Sequence, residues 1–133
     1  MSKVTKVVGK ISHEIALKYD LHDYENHNIV QSLDLYAHIQ KHISEFKSID
    51  SYNNSVFNVD KIINNPYFVY YDTNRNSLLY YKEIDEFTCV VVKLNIRKNK
   101  DIYVSTIYPV NKLKIEKLKR KQLIEKYTYQ GEF

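Results

Sequence analysis

Two histidines, His38 and His42, stand four residues apart in the segment HIQKH, where residue type and spacing suit proton transfer. On a helix this spacing brings their β-carbons to about 6 Å, so both imidazoles can act on one small group. Histidine exchanges protons near neutral pH because its ordinary pKa is about 6.5. The pair can therefore act in turn as base and acid on a phosphate. The neighbouring Lys41 can balance negative charge in the transition state or simply point into water.

The same spacing suits three other roles. Histidines four apart on a helix also serve as metal ligands, and Asp34 lies four residues before His38. However, the sequence lacks the glutamate of the HExxH pattern, and it has no second cluster of His or Cys to complete a ligand set. Two interpretations remain. The histidines can pair with Asp34 and Glu45 at the surface, or this side of the helix can contact a partner helix.

The segments before Pro66 have helical spacing. In SLDLYAHIQKHISEF, residues 32–46, apolar side chains recur at steps of three and four, and Ser32 can cap the first turn. Similar spacing predicts an earlier helix within GKISHEIALKYDL and a short later helix in NVDKIINNP, which Pro66 must end. The segment HDYENHN is predicted to be a loop, and SIDSYNNS is a polar stretch between elements.

After Pro66 the apolar period drops to two. The runs YFVYYD, SLLYYKEI, FTCVVVKLNI and IYVSTIYPV are rich in β-branched and aromatic residues, and short polar turns separate them. Strands joined so tightly pair antiparallel, because parallel neighbours need long crossovers. The sequence therefore predicts an α+β fold in which N-terminal helices pack on a four-stranded antiparallel sheet, followed by a basic C-terminal segment.

The last predicted strand carries two candidates for the same site. Side chains two apart share a face, so Val104, Thr106 and Tyr108 are expected to point the same way. A threonine hydroxyl can donate to a phosphate oxygen, and a tyrosine can stack on a base or donate its phenol. Packing alone also favours both residue types in strands, so the pattern leaves both interpretations open.

Two lysines in the predicted sheet are candidate substrate ligands. Lys93 interrupts the apolar run VVVKL, where a buried cation is costly, so it either lies on an exposed face or points at a phosphate. Lys82 is a less informative candidate. Arg75, in the turn TNRN, can touch substrate or simply lie in solvent.

Length and composition narrow the class of protein. The 133 residues fit a single domain over 1–133. The net charge is +4, and from Val110 onward seven Lys or Arg face three acids, which favours contact with phosphate backbones or a solvated helix. The single cysteine, Cys89, excludes an internal disulfide and favours the cytosol. No run approaches the roughly 20 apolar residues of a membrane span.

The ordered set HIQKH, NNPYFVYYD, LLYYKEI, VVVKLNI and YVSTIYPV resembles phage-associated, nuclease-like members of the superfamily that includes barnase, EndoU, colicin D and RelE. The resemblance covers about residues 9–110. It implies helices on a four-stranded antiparallel sheet and RNA cleavage without a metal. In such proteins the 2′-hydroxyl attacks the adjacent phosphate and leaves a 2′,3′-cyclic end.

Carried over residue by residue, the resemblance assigns site residues. His38 and His42 match the helix histidines, and Lys41 with His42 resembles the Lys-His step of the colicin D group. Thr106 and Tyr108 match the hydroxyl and aromatic positions of STxYP in the last strand.

The prediction is thus a ribonuclease that needs no cofactor or metal and acts on RNA, for example tRNA or mRNA, in a phage or toxin setting. A cognate protein inhibitor is a further partner in that setting. The expected catalytic residues are His38, His42, Thr106 and Tyr108, and the expected substrate-binding residues are Lys41, Lys93 and Lys82. The first alternative is a non-catalytic RNA- or protein-binding domain on the same fold, and the second is a metal-dependent enzyme.

Overall fold

A six-stranded mixed sheet organises the chain. The computed structural model describes residues 5–32, 40–94 and 102–120. The strands lie in the order β1-β2-β6-β5-β4-β3. Their bounds are β1 (Thr5–Lys10), β2 (Asn28–Ser32), β3 (Phe68–Asp72), β4 (Ser77–Glu83), β5 (Phe87–Lys93) and β6 (Ile102–Pro109).

Four α-helices accompany the sheet among the described residues. They are α1 (His13–Tyr19), α2 (Ile49–Phe57), α3 (Val59–Asn64) and α4 (Lys112–Arg120), and two 3-10 turns cover His22–Tyr24 and Gln40–Glu45. Side-chain caps define two helix starts: the Ser12 hydroxyl accepts from the Ile15 amide, and the Ser48 hydroxyl accepts from the Ser51 amide. Such caps stabilise a helix because the first-turn amides have no partner within the helix. In this part of the chain no helix is both long and apolar enough to cross a membrane.

The predicted antiparallel meander is confirmed, but it forms only part of the sheet. Strands β3, β4, β5 and β6 pair antiparallel in sequence order, as their short connections require. Beyond β6 lies β2, which pairs parallel with it through Ile29 with Ile102 and Val30 with Tyr103. The edge strand β1 pairs antiparallel with β2. The sheet is therefore six-stranded and mixed, and the expectation of four antiparallel strands was wrong.

The sequence signal for β1 and β2 is weak for physical reasons. Gly9, the first residue of the segment in which a helix was predicted, lies in β1, where a Cβ atom would approach Cγ2 of Ile63 on α3 to 2.6 Å. Glycine at this position indicates close packing of backbone against helix rather than a strand propensity. Strand β2 has five residues, and its partner in β6 lies some seventy positions later, so nothing local in its sequence reveals the pairing.

Two helix predictions also need correction. Of the segment predicted as helix over 32–46, residues 33–39, which include His38, lie outside the described residues, and Gln40–Glu45 forms a 3-10 turn instead of an α-helix. The polar stretch SIDSYNNS lies mostly within α2. Its Ser51 and Ser55 are buried and directed at polar groups of the sheet region, Glu86 and Thr88. Apolar periodicity misses a helix that is buried through hydroxyl groups.

The sheet has two faces with different coverings. The helical face packs against α1, α2 and α3 and holds the main core, which includes Ile15, Tyr52, Ile62, Leu78, Tyr80, Val90, Val92, Ile102, Val104 and Ile107. The opposite face carries a smaller cluster under α4, formed by Phe68, Tyr81, Phe87, Cys89, Val110 and Ile115. Neighbouring residues of a strand point to different faces, so β4 and β5 contribute to both clusters.

The turn between β4 and β5 holds the segment that follows the Gln40–Glu45 turn. Oε2 of Glu86 accepts from the Lys47 amide at 2.9 Å and from the Ser51 hydroxyl at 2.6 Å. Nζ of Lys47 donates to the Asp85 carbonyl at 2.8 Å, and Nδ2 of Asn54 donates to the Asp85 carboxylate at 2.7 Å. These bonds connect the start of α2 to the sheet and so limit where the preceding 3-10 turn can lie.

Replacing Glu86 with alanine tests this connection. The substitution leaves the Lys47 amide and the buried Ser51 hydroxyl without their acceptor, which costs about 1–3 kcal/mol in the free energy of unfolding. Urea denaturation of Glu86→Ala measures the loss. Glu83→Ala, an exposed carboxylate at the end of β4, is the matched control and should change stability by less than about 0.5 kcal/mol. Equal losses in both variants would contradict the prediction.

Candidate active site

A β-bulge in β6 decides which of its side chains share a face. The register passes from Val92 opposite Val104 to Val91 opposite Thr106, so Ser105 is one extra residue on β6. A bulge shifts the alternation of side chains by one position. As a result Val104 points into the main core, whereas Thr106, opposite Val91, lies on the opposite face. The expectation that Val104 shares a face with Thr106 was wrong.

Beyond the bulge, alternation is regular again. Ile107 is buried in the main core, and Tyr108 packs with Val91 and Cys89 on the opposite face. Thr106 and Tyr108 therefore do share one face, as the sequence predicted. The bulge preserves this pairing because it occurs before Thr106 and not between the two residues.

The 3-10 turn that precedes α2 brings His42 to this part of β6. The His42 ring lies against the Tyr108 ring, with 6.2 Å between centroids and an angle of 47°. Two neighbours anchor the turn on the helical face: Ile43 packs against the main core, and Phe46 is buried with its ring 5.4 Å from that of Tyr52. Ile43 and Phe46 thus contact the helical face, whereas the His42 side chain contacts Tyr108 on the opposite face.

A carboxylate orients the His42 ring. Nδ1 of His42 lies 2.8 Å from Oε2 of Glu45, three residues further along the same turn. An ionised carboxylate only accepts hydrogen bonds, so Nδ1 is the donor and carries the proton. In the neutral ring the lone pair then resides on Nε2, the atom that can take a proton from a substrate. The His42 side chain is 21% exposed, which leaves it accessible.

The hydroxyl of Tyr108 is directed inward. It hydrogen-bonds to the thiol of Cys89, which also interacts with the hydroxyl of Tyr81. Burial raises the pKa of Tyr108 and of Tyr81 well above the ordinary value, so both phenols stay protonated at neutral pH. The Tyr108 ring is the part of this side chain that adjoins His42.

Thr106 carries a polar atom without a described partner. Its Oγ1 is buried, and it forms no hydrogen bond within residues 5–32, 40–94 and 102–120. An unsatisfied buried hydroxyl costs about 1–3 kcal/mol, so its presence in the structure needs an explanation. Thr106 lies two residues from Tyr108 on the same face of the sheet, so this hydroxyl is next to the residue that the His42 ring adjoins.

Three cations, Lys114, Arg75 and Lys93, are candidates to act on this face of the sheet. The charge of Lys114, on α4, acts on the thiol of Cys89, and the guanidinium of Arg75 acts on the phenol of Tyr108. Lys93 follows Cys89 and Val91 at steps of two and so lies on the same face, with an exposed side chain. Lys93 lies four positions after Cys89, a distance of about 13 Å along the strand.

Lys82 does not join this group. It follows Leu78 and Tyr80 at steps of two, and both of these residues belong to the main core on the helical face. Its Nζ donates to the carbonyl of Asn65 at 2.8 Å and lies 4.8 Å from the centre of the Tyr67 ring. Lys82 thus ties the end of α3 to the sheet, on the other side from Tyr108.

Of the remaining predicted residues, His38 lies outside the described residues, and the side chain of Lys41 does as well. Sequence reasoning counted Glu45 only as a surface partner of His42 and left Arg75 open between substrate contact and solvent exposure. The three-residue spacing of Glu45 from His42 was the available signal for the first. No local signal decided between these alternatives for Arg75, because the sheet register places its turn, next to the end of β5. Among the described residues no group of three or more His, Cys, Asp or Glu side chains is arranged to hold a metal ion.

The described residues form an α+β fold with helices on one face of a six-stranded mixed sheet, and the His42–Glu45 pair adjoins Tyr108 on the other face. A family model described as phage-Barnase-EndoU-ColicinE5/D-RelE like nuclease3 matches residues 5–117, and the chain belongs to this family. The predicted resemblance is confirmed. Membership in a phage-related nuclease family indicates a nucleic acid as the substrate class. Comparisons with curated proteins and with solved structures returned no match.

Replacing Thr106 with valine tests whether its hydroxyl serves stability or the site. Valine keeps the shape but removes the unpartnered buried oxygen, so the free energy of unfolding should stay the same or rise by up to about 1 kcal/mol. Thr73→Val, at an exposed turn position, is the control for the substitution itself. Chemical denaturation measures both. A loss of more than about 1 kcal/mol in Thr106→Val would mean that the hydroxyl has a stabilising partner.

Because the thiol of Cys89 is buried, the free energy of unfolding is expected to vary with pH in the alkaline range. Burial raises its pKa to about 12 from 9.0, so the folded protein keeps a proton that the unfolded chain releases. The unfolded state then binds fewer protons, and stability falls as pH rises from about 9. Denaturation of wild type and Cys89→Ala between pH 7 and pH 10.5, about the accessible range, measures the effect. Wild type should lose stability more steeply, whereas parallel curves would exclude the thiol as the cause.

Proposed function

We propose that the protein is an endoribonuclease that cleaves RNA without a metal ion, with His42 as its base. The observation that carries the proposal is the 2.8 Å contact between Nδ1 of His42 and Glu45, made where the His42 ring adjoins Tyr108. A carboxylate that holds the Nδ1 proton leaves Nε2 ready to accept one. Together with the nuclease family, this favours acid-base cleavage of a phosphodiester.

The reaction proceeds by internal attack. Nε2 of His42 takes the proton of a ribose 2′-hydroxyl, whose oxygen forms a bond to the adjacent phosphorus. The bond from phosphorus to the 5′-oxygen breaks, and that oxygen receives a proton from His38, the proposed general acid. The products are a 2′,3′-cyclic phosphate and a free 5′-hydroxyl, and no water or metal enters this step. The mechanism requires the 2′-hydroxyl, so the proposed substrate is RNA and not DNA.

The other predicted residues have distinct roles in this scheme. His38 is proposed as the acid, and Lys41 as a cation for the phosphate. The Thr106 hydroxyl donates to a phosphate oxygen, which would provide the partner it lacks among the described residues. The Tyr108 ring stacks on a base, because its hydroxyl is already bonded to Cys89.

Substitution of His42 tests the proposal directly. Wild-type protein should cleave single-stranded RNA in excess chelator and yield 2′,3′-cyclic ends. His42→Ala should cleave 10²- to 10⁴-fold more slowly, roughly the contribution of general acid-base catalysis, and His38→Ala should lose a similar factor. Rates on a labelled oligonucleotide, together with mass analysis of the 3′ ends, provide the measurement.

His13 offers a matched control within the same chain. Its Nδ1 also lies 3.0 Å from a glutamate, Glu25, but it is on α1, outside the proposed site. His13→Ala should therefore keep the wild-type rate. RNA binding without cleavage by folded wild-type protein would instead favour a non-catalytic binding domain, and loss of cleavage on chelation would favour a metal-dependent enzyme.

A further inference from the structure

An exposed aromatic and an exposed cation lie side by side at the far end of the opposite face. Tyr103 in β6 pairs directly with Lys93 in β5, and 39% of Tyr103 is exposed. Residues on either side of Tyr103, Ile102 and Val104, are buried in the main core. The Tyr103 side chain therefore points to the same face as Thr106 and Tyr108.

A second cation reaches this end through the β3–β4 turn. The backbone amide of Leu94 donates to the carbonyl of Asn76, and Nδ2 of Asn76 donates to the carbonyl of Leu94, each at 3.0 Å. These bonds join the turn to the end of β5, next to Lys93. Arg75 precedes Asn76 in this turn and is exposed.

The two cations have no described counter-ion. Neither Arg75 nor Lys93 forms a salt bridge with a carboxylate in the part of the chain that the structure describes. The nearby carboxylate of Asp72 accepts the backbone amides of Asn74 and Arg75, so it serves the turn. Two positive charges with no counter-ion among the described residues, beside an exposed aromatic ring, fit a ligand that has both phosphates and bases.

Distance separates this group from the proposed reaction centre. Tyr108 pairs with Cys89 and Tyr103 pairs with Lys93, so the two tyrosines are about 13 Å apart along the β5 register. A single nucleotide at His42 cannot occupy both places. A chain that runs along β6 reaches both, with one base on each ring.

We propose that Lys93, Tyr103 and Arg75 form a second subsite, which binds a flanking nucleotide of a single-stranded RNA lying along β6. The inference rests on the proposed function and specifies its substrate class. The Tyr103 ring stacks on a base, while Lys93 and Arg75 bind the adjoining phosphates. Lys93 is then a substrate-binding residue remote from the scissile phosphate. A duplex does not fit, because its bases are stacked on one another and unavailable to either tyrosine.

Binding of non-cleavable RNA tests the subsite without relying on catalysis. Fluorescence anisotropy measures the Kd of labelled 2′-O-methyl oligonucleotides of two and of eight nucleotides with the full chain. We expect the double variant Lys93→Gln, Tyr103→Leu to bind the octamer about ten-fold or more weakly and the dinucleotide as wild type does. Lys93→Gln alone should reduce the slope of log Kd against log salt by about 0.7. Lys6→Gln, an exposed lysine on β1, controls for loss of one charge.

The outcomes separate the subsite from the reaction. Equal weakening for both lengths, no weakening for either, or tighter binding of a duplex than of the octamer would each overturn the subsite. Length-dependent weakening supports it. Cleavage of natural RNA by wild type, measured in parallel, reports on the proposed function. Length-dependent binding without cleavage would contradict the proposed reaction but support the subsite. Cleavage that depends neither on RNA length nor on the double variant would support the proposed reaction but contradict the subsite.

Discussion

The candidate site depends on the pairing of β5 with β6 and on the single extra residue that this pairing contains. With Ser105 bulged, Ile102, Val104 and Ile107 all reach the main core, although simple alternation cannot place residues 104 and 107 on one face. Burial of these three side chains holds the register in place, since a slip by one position would expose them. The same register leaves Thr106 and Tyr108 on the opposite face.

The histidine at this site is positioned from the helical face. Ile43 and Phe46 bind the Gln40–Glu45 turn to the main core, and Glu86 holds the residues that follow it. The hydrophobic core thus orients a side chain that does not belong to it. Glu45 then fixes the ring by a hydrogen bond within the turn, so the tautomer of His42 is set locally while its location is set by tertiary packing.

The positive charges on the opposite face lie at two separate positions along the strands. Lys114 acts at the end where Cys89, Tyr81 and Tyr108 form a buried polar cluster under α4. Lys93 lies about 13 Å away, beside the exposed Tyr103. This separation suits a polymer better than a small anion, because one phosphate cannot meet both groups. It also places Lys93 away from Tyr108 and the His42 ring.

Local patterns in the sequence were sufficient to predict the meander β3 to β6, α1 and α3 in outline, and the shared face of Thr106 and Tyr108. This is because apolar period, turn residues and helix caps are properties of neighbouring residues. The tertiary structure alone decided the parallel pairing of β2 with β6, the hydroxyl-rich helix α2, the bulge at Ser105 and the placement of Lys82 on the helical face. Each of these depends on contacts between residues far apart in the chain, whose free energy no local window contains.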